Sequence, residues 1–136
     1  MIPGVVVAVD VGTVRIGVAA SDPHRILASP VETVAAPGLD RVVEIVQERE
    51  AVLVVVGLPT SLSGTSASAS ADMARTFAAE LSGRIQIPVE LVVERLTTVS
   101  AAAHLRAAGR SGKQARQVID QAAAVALLQG VLDRPR

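Results

Sequence analysis

The stretch Val5–Asp22, VVVAVDVGTVRIGVAASD, constrains this chain more than any other. Two apolar runs, Val5–Val9 and Ile16–Ala20, flank a short segment holding Asp10, Gly12, Thr13 and Arg15. The valine-rich first run suits a buried strand, and Gly12 with its polar neighbours suits a tight reversal into a second. An acidic residue at the exit of a buried strand is a poor choice for packing. Its charge costs on the order of several kcal/mol unless it is solvated, paired or bound to a cation. The rest of the sequence has to account for Asp10.

Further along, Ser29–Val34 reads as a third strand, with Pro30 near its start placing it at a sheet edge. Leu39–Glu50 is amphipathic, with Leu39, Val42, Val43 and Val46 on one helical face. Ala51–Leu58 is a continuous apolar run, the mark of a strand buried on both faces. Pro59–Ser70, rich in Ser, Thr and Gly, reads as a long loop. Met73, Phe77 and Leu81 then line a helix that ends near Gly83, and Val89–Val93 is the last strand, closing at Glu94. A helix capped by Thr97 or Thr98 runs to about Gly109. After a polar link, Arg110–Gln114, the final helix starts near Ala115 and reaches Asp133, with Val118, Ala122, Val125 and Leu132 facing the core.

This order, hairpins followed by crossovers, predicts an α/β fold with a mixed five-stranded sheet flanked by helices, in a single domain over residues 1–136. Ligands of such sheets bind beyond the carboxyl ends of the strands. Asp10, Gly57 and Glu94 all sit at such ends, and Asp120 lies in the first turns of the last helix. Asp10, Glu94 and Asp120 brought together would repel one another, and a hard divalent cation is the simplest remedy; Mg²⁺ favours a few carboxylates with water and phosphate oxygens. The bland reading, solvated acids at strand ends, stands beside it. Other chemistries are closed. Without cysteine there is no disulfide, thiolate metal site or cysteine nucleophile. Phe77 is the one aromatic residue, so base stacking is essentially absent. No apolar run approaches the ~18 residues of a membrane span, and no basic signal-like start precedes the first strand, which predicts a soluble cytoplasmic protein without a membrane partner.

Several segments together resemble one family. Asp10-Val-Gly-Thr-Val-Arg15-Ile-Gly17-Val-Ala, Val56-Gly-Leu-Pro59, Gly64-Thr65, Glu94-Arg-Leu-Thr-Thr98, Ile119-Asp-Gln-Ala-Ala123 and Leu127-Leu-Gln129 look like the motifs of the YqgF/RuvX, or Holliday-junction-resolvase-like, family. They occur in the right order over nearly the whole chain. The resemblance implies a ribonuclease-H-like fold and a metal-dependent endonuclease using Mg²⁺ or Mn²⁺, with Asp10, Glu94 and Asp120 as catalytic and metal-holding residues. Its implied substrates are the 5′ end of pre-16S rRNA or branched DNA, the rRNA precursor being favoured, with the protein a monomer or homodimer. Three places depart from the family pattern: Val14 stands where Lys is usual, Val93 where Asp is usual, and Ser61 and Ser63 where Asn and Asp often follow Gly-Leu-Pro.

The chain carries thirteen basic and thirteen acidic residues, yet Arg95–Ile119 holds Arg95, Arg106, Arg110, Lys113 and Arg116 with no Asp or Glu. A local charge of this kind beside Glu94 and Asp120 reads as a phosphate-binding rim, with Arg95, Arg110, Lys113 and Arg116 on nucleic acid, more readily than as a solvated face. Arg15 reads equally as a phosphate contact or a solvated strand residue. Gly12 most simply permits the turn, and His24 and His104 read as surface residues without metal-ligand spacing. Two other classes remain. Val14 and Val93 motivate a noncatalytic nucleic-acid-binding protein of the same fold. Asp-x-Gly-Thr also resembles the phosphate-binding opening of actin- and sugar-kinase-like ATPases, but those clamp nucleotide between two domains and 136 residues leave no second half.

Overall fold

A computed structural model describes residues 4–59, 69–94 and 112–134, and for residues 94 and 112–120 the backbone alone. Five strands, β1 (Val6–Val11), β2 (Arg15–Ser21), β3 (Ala28–Ala35), β4 (Leu53–Pro59) and β5 (Val89–Glu94), form one sheet in the order β3-β2-β1-β4-β5. β1, β2 and β3 are joined antiparallel, while β4 and β5 extend the sheet parallel to β1. The mixed five-stranded sheet expected from the sequence is the one found. Val5–Val9 became the central strand because it can be buried on both faces: Val6, Val7, Ala8 and Val9 are all inaccessible. Pro30 lies on edge strand β3, as expected, beside a bulge where Val18 pairs Glu32 but Ala19 pairs Pro30.

Three helices among the described residues cover the sheet: α1 (Leu39–Glu48), α2 (Ala69–Ser82) and α3 (Gly112–Leu132). Gly38 opens α1 at φ 63°, where a Cβ would stand 2.9 Å from the Ala35 carbonyl oxygen, so only glycine is comfortable. The apolar stripe of α1 is buried through Val42, Val43, Ile45 and Val46. The helix stops two residues short of the expected Glu50, which turns the chain towards β4 at φ 51°. α2 begins at Ala69, inside the expected loop, and Pro59 is the last residue of β4. Its buried face is Ala71, Ala74, Phe77, Ala78 and Leu81, so Met73 sits on the flank of that face and not at its centre.

α3 also differs. It starts at Gly112, taking in part of the expected polar link, and its buried residues are Ala124, Leu127 and Leu128. The expected stripe through Ala122 and Val125 is half-buried at its edge. Three alanines in a row, Ala122 to Ala124, leave helical periodicity weakly marked; the burial of Leu127 and Leu128 settles it. The expected helix over 97–109 lies outside the described residues.

Two cores result. On one face Val7, Val9, Ile16, Val18, Val54 and Val56 pack against α1 and α2. On the other, Val6, Ala8, Ala19, Ala28 and Val55 pack against Ala124, Leu127 and Leu128 of α3. Gln129 ties α3 to the start of β3: its Oε1 accepts from Ala28 N at 3.0 Å and its Nε2 donates to Ile26 O at 3.1 Å.

Candidate active site

Strand alternation sorts the carboxyl-terminal edge of the sheet into two faces. Asp10 has the parity of Val6 and Ala8, which puts it on the α3 face, where it is half-buried. Asp10 pairs with Gly17 of β2, and Gly17 pairs with Thr33 of β3. On the other side Val9 pairs with Val56, so the next residues, Asp10 and Gly57, stand side by side. Gly57 in turn pairs with Val92, which packs into the α3 core. One row therefore crosses the sheet on one face: Thr33, Gly17, Asp10, Gly57, Val92.

Asp10 is thus flanked on both sides by glycine. Neighbouring side chains would otherwise stand about 5 Å from its own. Neither glycine puts a side chain of its own beside that carboxylate. Gly12 has a different task. A Cβ there would meet the Arg15 carbonyl oxygen at 2.6 Å, and its N–H donates to that oxygen at 2.9 Å, so it is a glycine of the turn. Arg15, half-buried at the start of β2, shares the parity of Gly17 and Ala19 and so the face of Asp10.

Glu94 is the last residue of β5 and pairs with Pro59; its place in the strand shares the parity of Glu90 and Val92. Two strand spacings, about 10 Å, separate β1 from β5, with Gly57 between them. Asp120 falls within α3, one turn before the buried Ala124. A helix turns about 100° per residue. Gln121 and Gln129 mark the flank of α3 towards β3, whereas Arg134, bonded to Glu90 at 3.2 Å, marks the flank towards β5. Position 120 lies in the first half of α3, the helix that covers this face of the sheet. α3 runs antiparallel to β1, so this position comes at the same edge of the sheet as Asp10.

The backbone thus brings positions 10, 94 and 120 to one edge and one face. The side chains of Glu94, Lys113, Arg116 and Asp120 lie outside the described residues, as do Arg95 and Arg110 altogether. Among the described residues no group of three His, Asp or Glu side chains is gathered to hold a metal. Asp10 with glycine on both flanks offers hard carboxylate oxygens, the donor type that a divalent cation takes.

Two departures from the family pattern gain a structural meaning. Val93 alternates with Val92 and Glu94 and so faces away from the Asp10 side, 51% exposed beside Leu91. An aspartate lost there is lost from the opposite face. Val14 stands at the hairpin tip, 61% exposed, where its carbonyl accepts from Ala36 N. His24 is exposed, as expected. Sequence reasoning missed Thr33 and Gln121, whose side chains meet at 2.9 Å across 88 residues of chain. Nothing local in either stretch signals that pairing.

A cavity of about 540 Å³ opens on the other face, lined by Val11, Ile16, Leu39, Met73 and Phe77 with Asp72 and Glu80. Its two carboxylates stand on the exposed side of α2, and Asp72 is paired with Arg75 at 3.1 Å. It lies across the sheet from Asp10.

A mixed sheet in the order β3-β2-β1-β4-β5 with helices on both faces is a ribonuclease-H-like fold. The fold agrees with that of Thermus thermophilus RuvC bound to a Holliday junction substrate, at TM-score 0.58 and 15% identity over 95% of this chain and 93% of that one. Fowlpox virus resolvase with Holliday junction DNA gives TM-score 0.58 and 9% identity, over 95% and 97%. The RuvX family model, described as Holliday junction resolvase, matches residues 4–134, and the chain belongs to that family. Relatives named as candidate pre-16S rRNA nucleases include one from Rhodococcus opacus, 53% identical over 93% of this chain and 76% of its own length. Another, from Mycolicibacterium smegmatis, is 54% identical over 96% and 81%.

Proposed function

We propose that this protein is a metal-dependent endonuclease, one ribonuclease-H-like domain, that hydrolyses phosphodiester bonds in the 5′ precursor of 16S rRNA. The observation that carries this reading is Asp10 between Gly17 and Gly57, on the face and edge of the sheet that the backbone of Glu94 and Asp120 also reaches. Asp10, Glu94 and Asp120 would hold Mg²⁺ or Mn²⁺, as a pair of ions. Such cations, when bound, activate a water and stabilise the leaving oxygen of a phosphodiester. The chain's own residues supply the rest. The carboxylates fix the ions, and the glycines flanking Asp10 admit the nucleic-acid backbone close to it. Arg15 lies on the same face, and the basic stretch with Arg95, Arg110, Lys113 and Arg116 grips flanking phosphates.

The choice of pre-16S rRNA over branched DNA rests on the names of the relatives that are more than half identical. Branched DNA is the second reading, favoured by the family description and by the junction-bound structures of the same fold. A homodimer would suit paired cuts in a four-way junction, while trimming of one RNA end needs only a monomer. No helix among the described residues is long and apolar enough to cross a membrane, and action on ribosomal precursor places the protein in the cytoplasm. The test is cleavage of end-labelled RNA carrying the 16S 5′ precursor beside a four-way DNA junction, with Mg²⁺, Mn²⁺ or chelator. Metal-dependent cutting of the RNA at a discrete site is expected. Binding of both substrates without cutting would move the protein to the noncatalytic class.

A further inference from the structure

We infer that the hydrogen bond between Gln121 of α3 and Thr33 of β3 is a positioning device that sets the register of Asp120 over Asp10, and with it the affinity of the site for its cation. The inference rests on the metal-site reading above. Gln121 Nε2 donates to Thr33 Oγ1 at 2.9 Å, and the pair is partly buried. Thr33 is the outermost residue of the row that runs through Gly17 to Asp10. Gln121 is the residue next to Asp120. One bond therefore links the helix that carries one carboxylate to the row that carries another.

The need for such a link follows from the packing. Among the described residues of α3, Ala124, Leu127 and Leu128 are the buried ones. Beneath them lie Val6, Ala8, Ala19, Ala28 and Val55, and the three alanines give the helix little side chain to lock against. Towards Asp10 the floor changes to glycine, which offers the helix no side chain to pack on. A rotation of α3 about its axis would move position 120 relative to the row that carries Asp10. Gln129 fixes the far end through Ala28 N and Ile26 O, and Gln121 fixes the end beside the site. Groups that orient metal ligands commonly change metal affinity about ten- to a hundredfold when removed.

The test measures Mn²⁺ binding by electron paramagnetic resonance, with thermal unfolding and the split of KM from kcat beside it. Thr33→Val and Gln121→Met should each weaken Mn²⁺ binding about ten- to a hundredfold, with KM for RNA little changed. Thr33→Ser, which keeps the hydroxyl, should restore wild-type affinity, and the double variant should be no worse than either single one. Gln129→Met should lower the unfolding temperature and leave Mn²⁺ affinity within about threefold. Asp10→Asn is the reference. If it abolishes Mn²⁺ binding while Thr33→Val stays within about threefold of wild type, the positioning role is overturned. If Asp10→Asn itself binds Mn²⁺ as wild type does, the metal-site reading fails and takes the positioning role with it.

Discussion

The two faces of the sheet are built on different terms. On the α1/α2 face the sheet presents valine and isoleucine to the valines of α1 and to Phe77, Leu81 and the alanines of α2. The α3 face substitutes alanine and glycine: Ala8, Ala19 and Ala28 under the helix, Gly17 and Gly57 around Asp10. Bulky residues bury more apolar area and hold an element in one place. Small ones let a helix come close and leave room for polar groups. The difference teaches that stability and chemistry are divided between the faces. The α3 face carries the glutamine ties and the Asp10 carboxylate; the α1/α2 face carries a cavity of about 540 Å³.

Breaking the division from the chemical side should give the largest effect. Asp10→Asn should cut cleavage on the order of 10²–10³-fold or more with little change in unfolding temperature; a fully active variant would dissolve the assignment. Ile45→Ala, 1% exposed in the α1/α2 core, should destabilise by about 2–5 kcal/mol in urea unfolding. Cleavage by the fraction still folded should persist. On the α3 face the sign of the size change reverses. Ala19, fully buried beneath α3, should reject Ala19→Leu by about 1–3 kcal/mol. Displacement of α3 should also depress cleavage, so this variant loses both properties where Ile45→Ala loses one.

The smallest effect is in acid. Asp22 is held below its ordinary range, first by the N–H of Leu27 and further by those of Ile26 and His24, against a desolvation that acts the other way. Glu32 is lowered by its hydrogen bond to Arg41, at 2.8 Å. Groups depressed in the folded state add stability that is complete above their unfolded values, 3.8 and 4.5, and is lost as pH falls through the lower folded values. The unfolding temperature should therefore decline below about pH 4.5. Asp22→Asn and Glu32→Gln should each flatten that decline slightly, since both groups are exposed enough for solvent to screen them. Neither touches the Asp10 face, so cleavage at neutral pH should be unchanged.

Much of this was legible in the sequence because strands announce themselves through apolar runs. Val5–Val9, Ala51–Leu58 and Val89–Val93 became β1, β4 and β5, and Asp10 and Glu94 fall at the same sheet edge because parallel strands end together. α1 was legible for the same reason, its stripe being valine. α3 was legible as a helix, and the expected Val125 and Leu132 pack against the core, but a run of alanines carries little periodicity and did not mark Ala124, Leu127 and Leu128 as the buried residues. The side chain of Asp120, which reads as off the core stripe, lies outside the described residues. The pairing of Thr33 with Gln121 is long-range and side chain to side chain, a contact no local pattern encodes. The meaning of Val93 needed the strand alternation seen in three dimensions.

The most direct test of the division sets two groups of carboxylates against each other. Asp10→Asn, Glu94→Gln and Asp120→Asn form one set; Asp72→Asn and Glu80→Gln, from the cavity face, form the other. Mn²⁺ binding and RNA cleavage are measured in all five. Every variant of the first set should lose both, and both variants of the second should keep both. Retention of Mn²⁺ by the first set, or its loss in the second, would place the metal chemistry on the wrong face of the sheet and contradict the account.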